Sequence, residues 1–322
     1  MLCVLIVIHH SCNISVNLET ILINYTFVNI VERLFYNISE IAVPVFFFIS
    51  AFLFYYDYSK EDYKKKIKRR WQNLIIPYIF YCSIYYILFF YRSLNFIDFF
   101  FFIINGESFL WFIRDLIIYS FLANIILKCI TNKKIVLLNI FGSFMLIILN
   151  IAEYKSIFYW WGIYLLGAYA GKYHQKFYSL ENRIKKKIST KIIMLFILTI
   201  ILFSFFMPNY TSKASLYISI YYIVFRYISL ILFWLIILYF NNKIKIKEYM
   251  TNSFIVYCWH PVYIVILQLI LDKIVTTSSD STVMLKYMLT IVLSYLSICL
   301  TFQLIKKIFP KLAIFLNGNR IS

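Results

Sequence analysis

The sequence predicts an all-α, polytopic membrane protein of about ten transmembrane helices. Three observations carry this. Of 322 residues, 62% are hydrophobic, 21% aromatic and 14% charged, whereas a soluble domain is roughly half apolar and about a quarter charged. Apolar stretches long enough to cross a bilayer follow one another along the chain. Lys and Arg crowd alternate connecting segments, as cytoplasmic loops do. No soluble core of this size would enclose 33 Phe and 29 Tyr, so a cytosolic enzyme, a disordered chain and a fibrous protein are excluded.

In chain order, an apolar run over 1–8 comes first and closes on His9-His10. At about 1.5 Å per residue those eight positions cover about 12 Å. This first span therefore reads as truncated at its cytoplasmic end, with the start of the protein lying upstream. Full spans follow at 38–58, 74–91, 109–130, 135–152, 157–173, 191–208, 215–240, 253–272 and 283–309. The aromatic run 96–104 is too short to span and ends at Asn105-Gly106, so it reads as an interfacial or re-entrant piece. The longest polar loop, about 174–190, is too short for a soluble domain, and 1–322 reads as a single transmembrane domain.

The formal charge of +18 would suggest nucleic acid in a soluble protein. Here it records topology. With the N-terminus cytoplasmic, 24 of the 32 basic residues fall on the cytoplasmic side and 6 outside, while Arg114 and Arg226 lie within spans. This places both termini in the cytoplasm. The external six are Arg33, Arg92, Lys155, Lys213, Lys273 and Lys286; the cytoplasmic set includes Lys60, Lys243, Lys245, Lys247 and Arg320. Two clusters of seven, over Lys60–Arg70 and Lys172–Lys191, read either as plain anchors or as something more. The six cysteines show no CxxC or CxxH spacing, so neither a zinc site nor a disulfide framework is expected. The first apolar run lacks a charged n-region and a small-residue cleavage site, so no cleavable signal peptide is expected.

Ionisable groups inside a bilayer are costly and mark function. The candidates are His9, His10, Arg114, Asp115, Arg226 and His260. Histidine transfers protons near neutral pH, so His9-His10 reads as a general base for a hydroxyl, a nucleophile that carries an acyl group, or an interfacial pair without chemistry. The run Lys64-Lys65-Lys66-Ile67-Lys68-Arg69-Arg70 is suited to phosphate groups such as those of a coenzyme A, or to anchoring alone. Arg114 and Asp115 are adjacent on a helix and need not pair. Arg226 reads as seeking a carboxylate or a lipid phosphate. His260, just before Pro261, reads as a donor or acceptor between helices.

Several segments in order resemble acyltransferase family 3, the polytopic bacterial membrane O-acyltransferases of cell-surface carbohydrates. Val7-Ile8-His9-His10-Ser11 resembles the end of the family's first span. Ala42-Val43-Pro44 through Ala51 resembles its second span, with Ala51 where Gly is usual. Lys66 to Arg70, followed by Pro77-Tyr78, resembles the basic loop and the proline opening the third span. Leu110-Trp111-Phe112 resembles the LWF segment, 167–172 a recurring span end, and Phe254 to His260 the FxIYxxH segment.

The resemblance implies a ten-helix fold in the bacterial cytoplasmic membrane. It implies acyl-CoA as co-substrate, most commonly acetyl-CoA, reaching the site from the cytoplasm without a metal. The acceptor it implies is a hydroxyl of an exopolysaccharide, capsule or other surface glycan, with membrane lipids as the surroundings and no nucleic acid. The catalytic histidine carried over is His10, or His9. The basic residue expected ten positions earlier falls before Met1. For coenzyme binding, Lys66 and Arg69 keep the family's i, i+3 spacing, whereas Arg70, seven residues before Pro77, leaves Asn73 in the second position. Two rival readings remain: a transporter or flippase component for a polysaccharide or lipid-linked sugar, and an inactive family member.

Overall fold

The computed structural model describes residues 2–12, 27–56, 58, 63–90, 94–106, 109–208, 214–240, 252–275 and 279–319. Among the basic residues assigned to a side, Lys60, Arg92, Lys213, Lys243, Lys245, Lys247 and Arg320 lie outside the described residues. The described residues are helical, with no strand. The helices are α1 (Leu2–Ser11), α2 (Phe27–Ser39), α3 (Ala42–Tyr55), α4 (Tyr63–Arg70), α5 (Ile76–Phe90), α6 (Phe96–Asn105), α7 (Trp111–Phe121) and α8 (Ala123–Cys129). They continue as α9 (Lys133–Ile148), α10 (Ile157–Lys172), α11 (His174–Lys185), α12 (Thr190–Phe205), α13 (Leu216–Phe240), α14 (Ser253–Ile274), α15 (Asp280–Ile308) and α16 (Pro310–Leu316).

Every expected span coincides with helix, but fewer helices suffice to cross a membrane alone. Among the described residues five are long and apolar enough: Phe27–Tyr55, Tyr63–Phe90, Leu216–Phe240, Ser253–Ile274 and Asp280–Ile308, or up to seven if two bent helix pairs each count as one span. The reason is length. Helices α9, α10 and α12 have 16 residues each, about 24 Å at 1.5 Å per residue, short of a hydrocarbon core about 30 Å thick. Large apolar side chains such as Leu138, Phe141, Leu269, Leu300 and Leu304 face outward, a surface suited to lipid.

The prolines explain the breaks. Pro44 has no N–H and its ring crowds the carbonyl four residues back. The helix accordingly breaks at Glu40-Ile41, whose N–H groups turn to Asn37 and Ile38 carbonyls at 3.2 Å each. Pro77 acts likewise on Asn73. The chain widens into a π-turn over Trp71–Ile75, and the Ile76 N–H reaches Trp71, one residue further back than in an α-helix. Pro310 opens α16, where its missing N–H is harmless.

The chain divides into two compact units. The first is Met1–Ala42, Met194–Met207 and Asn241–Ser322; the second is Val43–Ile193 and Pro208–Phe240. In the first, α1 packs on α2, α14 and α15. Cys12 Sγ donates to Tyr287 Oη at 3.2 Å, and Phe35, Tyr36 and Met288 close around this pair. Asn37 Nδ2 donates to the Ser204 carbonyl at 2.8 Å and Arg33 Nη2 to that of Met207 at 2.8 Å. Arg33 thus lies inside a helix of spanning length rather than in an external loop. Helix α2 buries its polar side: Glu32, Asn37 and Ser39 are buried, while Phe27 and Ile30 are exposed.

In the second unit, α6 folds back on α5. It is capped by Asn95 at its start and by left-handed Gly106 at its end, and Tyr78 Oη donates to the Ile103 carbonyl at 2.7 Å. The segment read as a polar loop is the amphipathic helix α11. Its Phe177 meets Phe52 and Trp234 at 5.7 and 5.5 Å, and Trp234 Nε1 donates to Glu181 at 2.7 Å. Helix α10 approaches α3 at Gly167 and Gly171, where a Cβ would collide with the carbonyls of Phe48 and Phe52. Close backbone approach at small residues is a common way for membrane helices to associate.

Gly171→Ala is expected to destabilise the second unit by about 1–3 kcal/mol through overpacking against backbone. Thermal unfolding in detergent checks this, and an unchanged midpoint would contradict the packing described.

Candidate active site

The first unit brings three imidazoles together. His9 and His10 end α1, and His260 comes from α14. The His9 and His10 rings meet edge to face at 5.0 Å, and those of His10 and His260 lie 5.0 Å apart. His9 stacks on Tyr36 at 4.2 Å. Its Nδ1 is 2.8 Å from Ser39 Oγ, and the Ser39 hydroxyl donates its single proton to the Tyr36 carbonyl. The serine oxygen therefore accepts, and His9 Nδ1 is the donor. His9 is thus fixed on two sides, while His10 lies between it and His260.

His260 is 1% exposed. Its Nδ1 lies 2.7 Å from the Tyr257 carbonyl, and its Nε2 has no hydrogen-bond partner. Two buried hydroxyls on helices packed against α1 or part of it, Ser11 Oγ and Ser294 Oγ, also lack partners. Buried polar atoms are normally satisfied, so each of these atoms stands out within the unit. Two buried carboxylates on and just after α2, Glu32 and Glu40, belong to the same unit. Among the described residues no three His, Cys, Asp or Glu side chains converge as metal ligands.

The basic residues lie in the second unit, on α4. Lys66 is buried, and its Nζ donates to the Phe54 carbonyl at 2.6 Å and that of Tyr56 at 3.3 Å. It also lies over the rings of Phe54 and Tyr58. Lys66 thus satisfies the carbonyls left open at the end of α3. Arg70 lies over Phe54 at 4.9 Å. Arg69, Lys64, Lys65 and Lys68 are exposed. The π-turn lies between this run and Pro77, so the departure from the family's spacing coincides with one extra residue in a helical turn.

Three other ionisable groups, Arg114, Asp115 and Arg226, make internal contacts. Arg114 and Asp115 do pair, with Nη2 to Oδ1 at 2.7 Å and Nε to the same oxygen at 2.9 Å. Helical neighbours project about 100° apart, but the long arginine arm curls back to span that angle. Arg114 also donates to the carbonyls of Asn105 and Lys155, and it fills the space beside Gly106 that a side chain there would need. Arg226, 2% exposed, finds aromatic rings. Its guanidinium lies 4.8 to 5.1 Å from the ring centres of Tyr154, Tyr159, Trp160 and Tyr222, and Nη1 donates to Tyr159 Oη. Ring faces attract cations most strongly when desolvated.

Sequence reasoning selected His9 and His10 but gave His260 no role in the site. The readable signal was the His260-Pro261 pair inside a span. Glu32 and Glu40 were missed because the polar run around them hid the start of the helix.

Helices of spanning length and a cluster of three imidazoles, one buried and two half-buried, frame the candidate site. The acyltransferase-domain model of acyltransferase family 3 matches residues 1–315. The chain belongs to this family, which makes it a membrane acyltransferase by descent. No curated protein matches it, and no solved structure does.

Arg226→Lys is expected to lower stability by at least about 2 kcal/mol, because an ammonium cannot face several rings as a planar guanidinium does. Thermal unfolding checks this; an unchanged transition would remove the ring cage as a stabilising feature.

Proposed function

We propose that the protein is a membrane-bound O-acyltransferase. It moves an acyl group, acetyl by the family's habit, from acyl-CoA on the cytoplasmic side to a hydroxyl of an exopolysaccharide, capsule or other cell-surface glycan. The observation that carries this reading is the ring contact between His10 and His260 beside His9, in one compact unit. Family membership supplies the acyl chemistry. His10 takes the proton of the attacking hydroxyl. The acyl carbon gains the C–O bond and loses its C–S bond, and the proton ends on the departing thiol. Coenzyme phosphates dock on Arg69 and Arg70 with neighbouring exposed lysines, while Lys66 fixes the helix that presents them. The protein works in the bacterial cytoplasmic membrane.

Replacing both His9 and His10 by Ala should abolish glycan acylation in cells at unchanged protein level. Mass spectrometry of surface glycans reads this, and full acylation in the double variant rejects the assignment.

The same reading has ten membrane passes with both termini cytoplasmic. Its support is the division of Lys and Arg, 24 against 5 once Arg33 is placed within a helix of spanning length. A reporter fused within Lys185–Lys187 should give a cytoplasmic signal, and one fused near Lys155 an external signal. The reverse pattern, or the same side for both, rules the topology out.

A further inference from the structure

Pro261 has no N–H, so the carbonyl four residues before it, that of Tyr257, has no backbone donor in α14. His260 Nδ1 stands 2.7 Å from that vacated oxygen. A carbonyl only accepts, so Nδ1 carries the imidazole proton. Nε2 is left as a lone pair, buried and without a hydrogen-bond partner. The proline thus sets the tautomer of the histidine before it, using the helix backbone where other enzymes use a carboxylate. The His10 ring lies 5.0 Å from that of His260, centre to centre, within reach of a bond between their nitrogens. On its far side His10 meets His9, which Ser39 and Tyr36 hold in place.

We propose that His260 is a positioning residue for His10, accepting the His10 N–H through Nε2 and so turning the other His10 nitrogen into the base. This rests on the acyl-transfer reading above. The hydroxyl oxygen bonds to the acyl carbon as the thioester C–S bond breaks, and the hydroxyl proton moves to His10. The imidazolium charge is shared with His260 across the N–H···N bond. His10 then gives the proton to the departing thiolate. Ester and thiol are the products, and both histidines return to their starting forms. His260 never touches the substrate.

The test uses the full chain in lipid bilayers with ring-¹⁵N histidine; the sequence has only 4 His, so single substitutions assign the signals. His260 is expected in the Nδ1–H tautomer. Pro261→Ala returns a backbone donor to Tyr257 and leaves the imidazoles in place. It should convert His260 to a mixture of tautomers and lower glycan acylation in cells at least about tenfold, a fraction of the roughly 10²–10⁴-fold that a general base contributes. His260→Leu should lose more than that, and His260→Gln, which can still accept the His10 N–H, should recover part of it. An Nε2–H tautomer for His260 overturns the proposal. So does Pro261→Ala with both tautomer and acylation unchanged. If His260→Leu does not accumulate, the Gln and Pro261 variants decide. Full acylation without His9 and His10 would reject the acyl-transfer reading itself. Loss there, together with full acylation in His260→Gln and Pro261→Ala, would reject only the role of His260.

Discussion

The structure depends on one constraint: a backbone carbonyl in an apolar environment must find a donor. Proline removes donors, and the chain answers differently at different sites. At Pro44 the helix breaks and the neighbouring N–H groups shorten their reach. At Pro77 it widens into a π-turn. At the end of α3 a buried lysine supplies the missing protons. At Pro261 the helix runs on and a histidine side chain takes the vacant place. The last two answers put a charged or titratable group at a fixed point, so backbone bookkeeping and site chemistry coincide.

The chemistry-bearing residues divide between the two units. The first holds the imidazoles on α1 and α14, with two buried carboxylates close by in sequence on and after α2. The second holds the basic helix and two internally engaged arginines. Arg114 is tied to a carboxylate and two carbonyls, and Arg226 is enclosed by rings. His260 retains an unused acceptor. Asp115 Oδ2 lacks a hydrogen-bond partner as well, so it is the ring contact with His10 that singles out His260.

Much of the fold was legible in the sequence, because apolar runs in a membrane protein have no alternative to helix. The errors arose where polarity and burial part company. Glu32, Asn37 and Ser39 point inward while Phe27 and Ile30 point out, so hydropathy read α2 as a loop. The stretch after Lys172 reads as polar, yet Phe177 and Glu181 on one side of it anchor a helix. His9 and His10 stood out because they end an apolar run. His260 needed three-dimensional proximity to α1 before it joined them. The spacing of Arg69 and Arg70 to Pro77 was ambiguous because no linear count registers an extra residue in a π-turn.

The glycines of α10 limit how the second unit can move. Phe48 and Phe52 place their carbonyls where Gly167 and Gly171 have no side chain. Turning α10 about its own axis by about 60° would drive those oxygens toward the Cβ atoms of Ala168 or Ala170. Such a turn is opposed by overpacking against backbone. The two contacts, one helical turn apart, thus hold α10 at one rotational setting against α3.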